Sequence, residues 1–510
     1  MDPAEPRETV HYERRKFLQR IATTGVAAGA VAIPAWAQAS AQETTPAEAA
    51  THPVANASGP QLASTLAHYA IEFSYDSIPP DVVRLTKRTL IDTIGCGIGG
   101  FSSEPSQIAN RLAGGVSATR GSTVMCSGVK TSPDLAAFAN GVMIRYLDFN
   151  DGYLSLGGGH PSDAIAPLLS AAEITGSNGK DLISSTVVSY EIFCRLCDAL
   201  DNRAIGIDYA TLIGIAATAG TGRLMGLTQG QIADAIDIYV AGNVALNQTR
   251  AGSVSNWKAC SAPDASRKAI FAAQLSQAGL TGPDQVFEGR DGFYNRIKRF
   301  QLPALSTGSE PFAMLHCFTK RFALGQLAQT VVEAAVEARA FVPDIEAIQD
   351  INIHVSHVAI EVMADSPDKW NPQTHETADH SIPYATAVAM SYGTIDDKYY
   401  EEPYLHDRRI RDLIGKVHVI LSDEADRATG EINLCDFEVV LKSGQRKIIR
   451  VEYHRGHWKN PMTDAELEEK FRSLARRQLT NAQADNLLLQ LWSLEYLPRI
   501  DGLMSGTVRV

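Results

Sequence analysis

The chain has 510 residues, 45% of them hydrophobic, and a formal net charge of −12. That length supports two domains with sizeable cores, and the acidic balance argues against nucleic acid as a partner. An anionic small molecule stays open, because local cations decide that. At the N-terminus, Arg14-Arg15-Lys16-Phe17-Leu18 precedes a short Ala/Gly/Val run broken by Pro34, then small-residue cleavage motifs. This is the form of a twin-arginine export signal over residues 1–42. It gives the expectation of a periplasmic protein without a stable membrane anchor, the apolar run being too short to span. Residues 43–58 are rich in Ala, Thr and Pro and read as a linker.

From residue 61 to about 294 the pattern is helix after helix. Pro79-Pro80 opens one that runs to residue 98, with apolar Val82, Leu85, Leu90 and Ile94 on its face. Ser132-Pro133 opens the next. Residues 178–200, 212–225 and 229–244 continue the series, and only 122–126 reads as an isolated strand. Past residue 312 the period changes to two, at 351–358, 416–421, 432–441 and 448–453, with helices at 322–340 and 381–390 between them. Capped helices at 464–477 and 481–494 restore the helical texture. The expected fold is mainly α, a large all-α domain (59–310) with a smaller α+β domain (311–459) inserted before C-terminal helices (460–510) that rejoin the first domain. Seven cysteines are scattered. Cys194 and Cys197 share a helical face, where packing is the commoner use and metal or redox use stays open.

Three stretches carry chemistry. Tyr146 to Asp163 brings Asp148, Asp151 and His160 around a glycine-rich bend between two helices. The acids lie at the unfavourable end of the first helix dipole, and His160-Pro161 at the start of the second. A solvated polar loop would carry the same residues. The second stretch places Lys258 just before a helix expected from about Pro263, an electropositive spot suited to a carboxylate, although a snorkelling surface lysine reads the same way. The third stretch, 370–384, holds two histidines, two acids and a tyrosine; His380 and Tyr384, four apart, are expected on nearly one helix face.

Together these stretches resemble the MmgE/PrpD family. The resemblance covers nearly all of residues 59–510. It rests on Asp148-Phe-Asn-Asp151 with Gly159-His-Pro-Ser-Asp163, Lys258 with Asp264-Ala-Ser-Arg267, Gly279-Leu-Thr-Gly-Pro283 with Glu288-Gly289, Glu376-Thr-Ala-Asp-His-Ser-Ile-Pro-Tyr384 and Asn460-Pro-Met-Thr463. It implies that the inserted domain is a lid, that the protein is a homodimer, and that a cleft between domains works without metal or organic cofactor. On the family's motif positions, the catalytic residues fall on Asp148, His160, Lys258 and Tyr384. Asp151, Arg267, Lys320 and His380 are expected to bind substrate. Two departures stand out. Gly152 replaces the Thr that many members carry, and Lys320-Arg-Phe-Ala-Leu-Gly325 lacks the Pro and His that some members, the decarboxylases among them, have there.

The expected activity is a cofactor-independent hydro-lyase on a polycarboxylate resembling 2-methylcitrate. His160 would move protons near neutrality, while Lys258 meets carboxylate charge. Epimerisation or decarboxylation of a related acid is the alternative among enzymes, and a non-catalytic periplasmic organic-anion binding protein the alternative outside them.

Overall fold

The computed structural model describes residues 61–430 and 432–509. The expected export signal (1–42) and linker (43–58) both fall before this range and lie outside the described residues. The longer helices are α1 (Leu62–Glu72), α2 (Pro80–Gly99), α3 (Glu104–Gly114), α4 (Pro133–Tyr146), α5 (Ile165–Thr175), α6 (Gly179–Ala199), α7 (Ala210–Leu224), α8 (Gln229–Gly242), α9 (Ser261–Gln277), α10 (Gln329–Arg339), α11 (Ile382–Tyr392), α12 (Asp464–Ala475) and α13 (Asn481–Trp492). The protein is mainly α. Among the described residues no helix is long and apolar enough to cross a membrane.

Local chemistry explains the boundaries. Asn178 with Asp181, Thr228 with Gln231, Thr463 with Glu466 and Thr480 with Gln483 form reciprocal capping boxes that open α6, α8, α12 and α13. Pro80 and Pro133 sit in the first turns of α2 and α4, where no N–H is needed. Gly176 and Gly393 take left-handed conformations that stop α5 and α11.

Two hydrophobic cores form. The first gathers α1 to α9 and is completed by Leu467, Phe471, Leu487, Leu491 and Leu503 from the C-terminal helices. α12 lies against α2. The second core belongs to a four-stranded sheet and the helices on its inner face. The strands are β5 (Ile348–Val355), β6 (Val417–Leu421), β7 (Cys435–Leu441) and β8 (Arg446–Val451), in the order β6-β5-β7-β8, with β5 and β6 parallel and the other pairs antiparallel. Register follows the period-two pattern. Ile351 faces Val439 and Ile353 faces Phe437, so all four side chains bury on one face, under α10 and α11. The outer strand β8 carries Arg446, Lys447 and Arg450, charges that discourage edge-to-edge pairing.

Four short strands complete the described sheets: β1 (Ser122–Thr123) with β2 (Lys130–Thr131), and β3 (Tyr153–Leu154) with β4 (Gly158–Gly159). The second hairpin folds the glycine-rich stretch back on itself. Gly159 lies so close to the Tyr209 ring that an added Cβ would stand 2.4 Å from it. None of the seven cysteines is in a disulfide among the described residues, and Cys194 and Cys317 bring their buried Sγ atoms to 3.9 Å.

Candidate active site

α4 ends at Tyr146, Leu147 caps it, and Asp148 then adopts φ +46, a left-handed conformation that Asp tolerates better than most residues. That bend turns the Asp148 carboxylate into the protein, where it is fully buried. Oδ1 accepts from Arg145 Nη1 at 2.8 Å and from Lys320 Nζ at 2.5 Å. Lys320 also donates to the Asp148 carbonyl at 2.8 Å. On the other oxygen, Lys258 Nζ lies at 3.3 Å and His380 Nδ1 at 3.3 Å. Acids at a helix C-terminus are unfavourable. Here three cations reverse that.

Lys258 sits in the single 3₁₀ turn Asn256–Ala259, immediately before α9. Its ammonium bridges Asp148 and Asp379. Asp379 caps the short helix His375–Ala378 and accepts from His380 Nδ1 at 2.7 Å. Four separated segments, 145–163, 258, 320 and 379–380, therefore meet at one carboxylate.

Burial opposes ionisation of Asp148, yet Arg145, Lys320 and Lys258 outweigh it and hold its carboxyl well below the usual range. Asp379 is likewise disfavoured by burial but drawn down to about 2, chiefly by Lys258 and His380. Burial lowers Lys320 to about 8 despite the attraction of Asp148. Burial, then Lys258, lowers His380 to about 4. With both imidazoles neutral, three cations, Arg145, Lys258 and Lys320, gather around Asp148 and Asp379, and Asp163 lies 4.0 Å from Arg145.

His160 follows β4 and opens the 3₁₀ turn Pro161–Ala164. Its Nδ1 lies 2.6 Å from the Asp151 carbonyl oxygen. A carbonyl only accepts, so Nδ1 carries the proton and Nε2 the lone pair. Burial, with Arg145 and Lys320 nearby, keeps the ring's pKa well below the ordinary value. His160 is thus a neutral imidazole whose unprotonated Nε2 stands 3.8 Å from Asp148 Oδ1. Asp151 supports the turn from behind, accepting from the Ser162 amide at 3.1 Å and the Tyr190 hydroxyl at 2.8 Å. Burial pushes its carboxyl up to about 7.

A cavity of about 160 Å³ opens onto this cluster, lined among others by His160, His380, Arg145, Arg250, Tyr209 and Gly325. Among the described residues, Asp148, Asp379 and His380 could also present one donor atom each to a metal ion, within 4.8 Å of one another. That set fits a cation poorly, because the Lys258 ammonium already bridges both carboxylates.

The structure brings Asp148, His160, Lys258, Lys320 and His380 together, with Asp151 one layer behind. Tyr384 and Arg267 are elsewhere, and their expected places at the site are corrected. α11 begins only at Ile382, with Ser381 as its cap, so His380 precedes the helix and shares no face with Tyr384. The Tyr384 hydroxyl donates to the Tyr399 carbonyl at 2.5 Å, inside the second core. Arg267 points along α9 to Asp264 at 2.9 Å and is part-exposed. Sequence reading missed Arg145, Asp379, Tyr209 and Arg250. Arg145 gave a signal, as a cation one turn before an acid at a helix end, and Asp379 stood beside His380 in the 370–384 stretch.

The chain is similar to known proteins along most of its described length. The profile described as MmgE/PrpD N-terminal domain matches residues 64–302, and that described as MmgE/PrpD C-terminal domain matches 322–495. A 2-methylcitrate dehydratase of Salmonella typhimurium is 28% identical over 78% of this chain and 87% of its own length. The Cupriavidus necator 2-methylcitrate dehydratase is 28% identical over 77% and 85%. The human cis-aconitate decarboxylase is 26% identical over 82% and 88%. With both halves of the family pattern matched in order, and the clustered side chains drawn from both, the chain belongs to the MmgE/PrpD family.

Proposed function

We propose that this protein is a carbon–oxygen lyase that dehydrates a 2-methylcitrate-like polycarboxylate, as the names of its dehydratase relatives suggest. The observation that carries the reading is an unprotonated His160 Nε2 on the cavity wall, beside a buried cluster that gathers the cations Arg145, Lys258 and Lys320. His160 takes the proton from the carbon next to a carboxylate, and that C–H pair becomes the new C=C bond. The C–O bond on the neighbouring carbon breaks, and the hydroxyl leaves as water with a proton from an ammonium of the cluster. Lys320, lowered by burial to about 8, serves as that ammonium. The negative charge that develops on the carboxylate is met by fixed cations in a site that excludes bulk water.

The test is alkene absorbance with 2-methylcitrate, citrate and cis-aconitate on the purified protein. His160→Ala and Lys258→Ala should each lose at least ~100-fold in rate. Near-normal turnover in both variants would remove the mechanism. The human relative favours a second reading, decarboxylation of a tricarboxylate. Carbon dioxide release, measured in the same assay, separates the two.

Three further parts of the reading concern the whole protein. The sheet-bearing segment 311–459 acts as an inserted lid that closes over the cavity, supported by its separate hydrophobic core; ligand-dependent hydrogen exchange at its edge tests this. The protein works as a homodimer, which sedimentation would check. It is exported to the periplasm by the Arg14-Arg15 signal, and retention of an Arg14→Lys, Arg15→Lys variant in the cytoplasmic fraction is the expected outcome.

A further inference from the structure

The cavity wall carries two guanidinium groups whose hydrogen bonding is incomplete. Arg145 donates from Nε to the Tyr209 hydroxyl at 3.1 Å and from Nη1 to Asp148 at 2.8 Å. Arg250 donates from Nε and Nη2 to Asp208, at 2.8 and 3.4 Å. Arg145 Nη2 and Arg250 Nη1 are both buried and have no hydrogen-bond partner among the described residues. Both residues line the cavity of the proposed active site.

Tyr209 ties the pair together. Its hydroxyl accepts from Arg145 and donates to Asp163 at 2.8 Å, while its ring lies under the Arg250 guanidinium, 4.7 Å from centroid to Cζ. The His160 ring stands edge-on to the same tyrosine, with centroids 5.4 Å apart. Both guanidinium groups are therefore fixed before any ligand arrives, and fixed close to the base. Buried donors on a charged group are rarely left unmade, and a forked guanidinium is the side chain best matched to a carboxylate.

We propose that Arg145 and Arg250 form a carboxylate clamp across Tyr209. It takes one carboxylate of a tricarboxylate substrate while the cluster around Lys258 faces another, and so presents the intervening carbon to His160 Nε2. The clamp makes the site select three carboxylates over two. This rests on the polycarboxylate reading above.

Calorimetric titration with tricarballylate tests it, since this saturated tricarboxylate has no hydroxyl to lose; glutarate, which lacks its central carboxylate, is the comparison. The native protein should bind tricarballylate about tenfold or more tighter than glutarate, the effect of one charge-assisted contact pair. In Arg250→Gln that preference should collapse. Losing Arg250 leaves Asp208 buried and unpaired, which can prevent folding. Asp208→Asn combined with Arg250→Gln removes both charges and carries the test if the single variant does not fold. Unchanged tricarballylate affinity in a folded Arg250→Gln or double variant overturns the clamp alone, provided the native protein binds and turns over polycarboxylates. A native protein that neither binds nor turns over any of them overturns the clamp and the functional reading together.

Discussion

Lys369 is a buried charge with little support. Its side chain is inaccessible, and its Nζ has no hydrogen-bond partner among the described residues. Burial pushes it down from the ordinary 10.5 to about 8, only partly offset by Asp379. At pH 7 it is charged in both folded and unfolded states, so the native state bears the full desolvation penalty. Between about pH 8 and 10.5 the unfolded chain binds the proton and the native protein does not, so the contribution of Lys369 to stability rises with pH through that window. Lys369→Met keeps the stem's volume and removes the charge. It should raise unfolding free energy at pH 7 by about 1–3 kcal/mol. That advantage should shrink by pH 9.5, because the variant lacks this rising contribution. Urea denaturation at pH 7 and 9.5 measures both. Nothing in the sequence around Lys369 distinguished it from the exposed lysines nearby, because desolvation is a property of what folds over a side chain.

At the scale of elements, the sequence was most readable where local chemistry is self-contained. The helices opened by Pro80, Thr463 and Thr480 start where their caps place them, and the alternation at 351–358 and 432–441 locates β5 and β7 to within a few residues. It was least readable where one residue decides a start. Assigning His380 and Tyr384 to one face required a helix from 380. The Ser381 cap starts it at Ile382, and the tyrosine swings into the second core. The departures from the family pattern also resolve at this scale. A Cβ at Gly152 would stand 2.4 Å from the Phe318 ring, and one at Gly325 would stand 2.7 Å from the Met363 methyl. Large apolar neighbours thus fill the space of the missing side chains. Gly152→Thr should destabilise by about 1–3 kcal/mol through overpacking. Adding Phe318→Val should recover most of that loss. An additive double variant in urea denaturation would show that the two positions do not share the space.

At the scale of the whole molecule, the Asp148 carboxylate is the point where distant segments become one site. Arg145 reaches it from α4 in the first core, Lys258 from the turn before α9, Lys320 from the segment entering the second core, and His380 from the edge of α11. Two hydrogen-bonded cations, Arg145 and Lys320, and two neighbours at 3.3 Å, Lys258 and His380, gather on this one anion, whose charge offsets repulsion among the three cations. Asp379 accepts from Lys258, while Arg145 and Lys320 pair with Asp148 instead. Asp148→Asn is nearly isosteric, so its cost is electrostatic. Removing one partner of a buried ion pair costs about 3–5 kcal/mol, and the loss here should reach that range in urea denaturation. Because the cluster is enclosed, raising salt should restore little of it. Adding Lys320→Met removes one stranded cation and should recover at least half. If Asp148→Asn instead unfolds within 1 kcal/mol of the native protein, the cations do not depend on this carboxylate, and the segments meet there for reasons of packing alone.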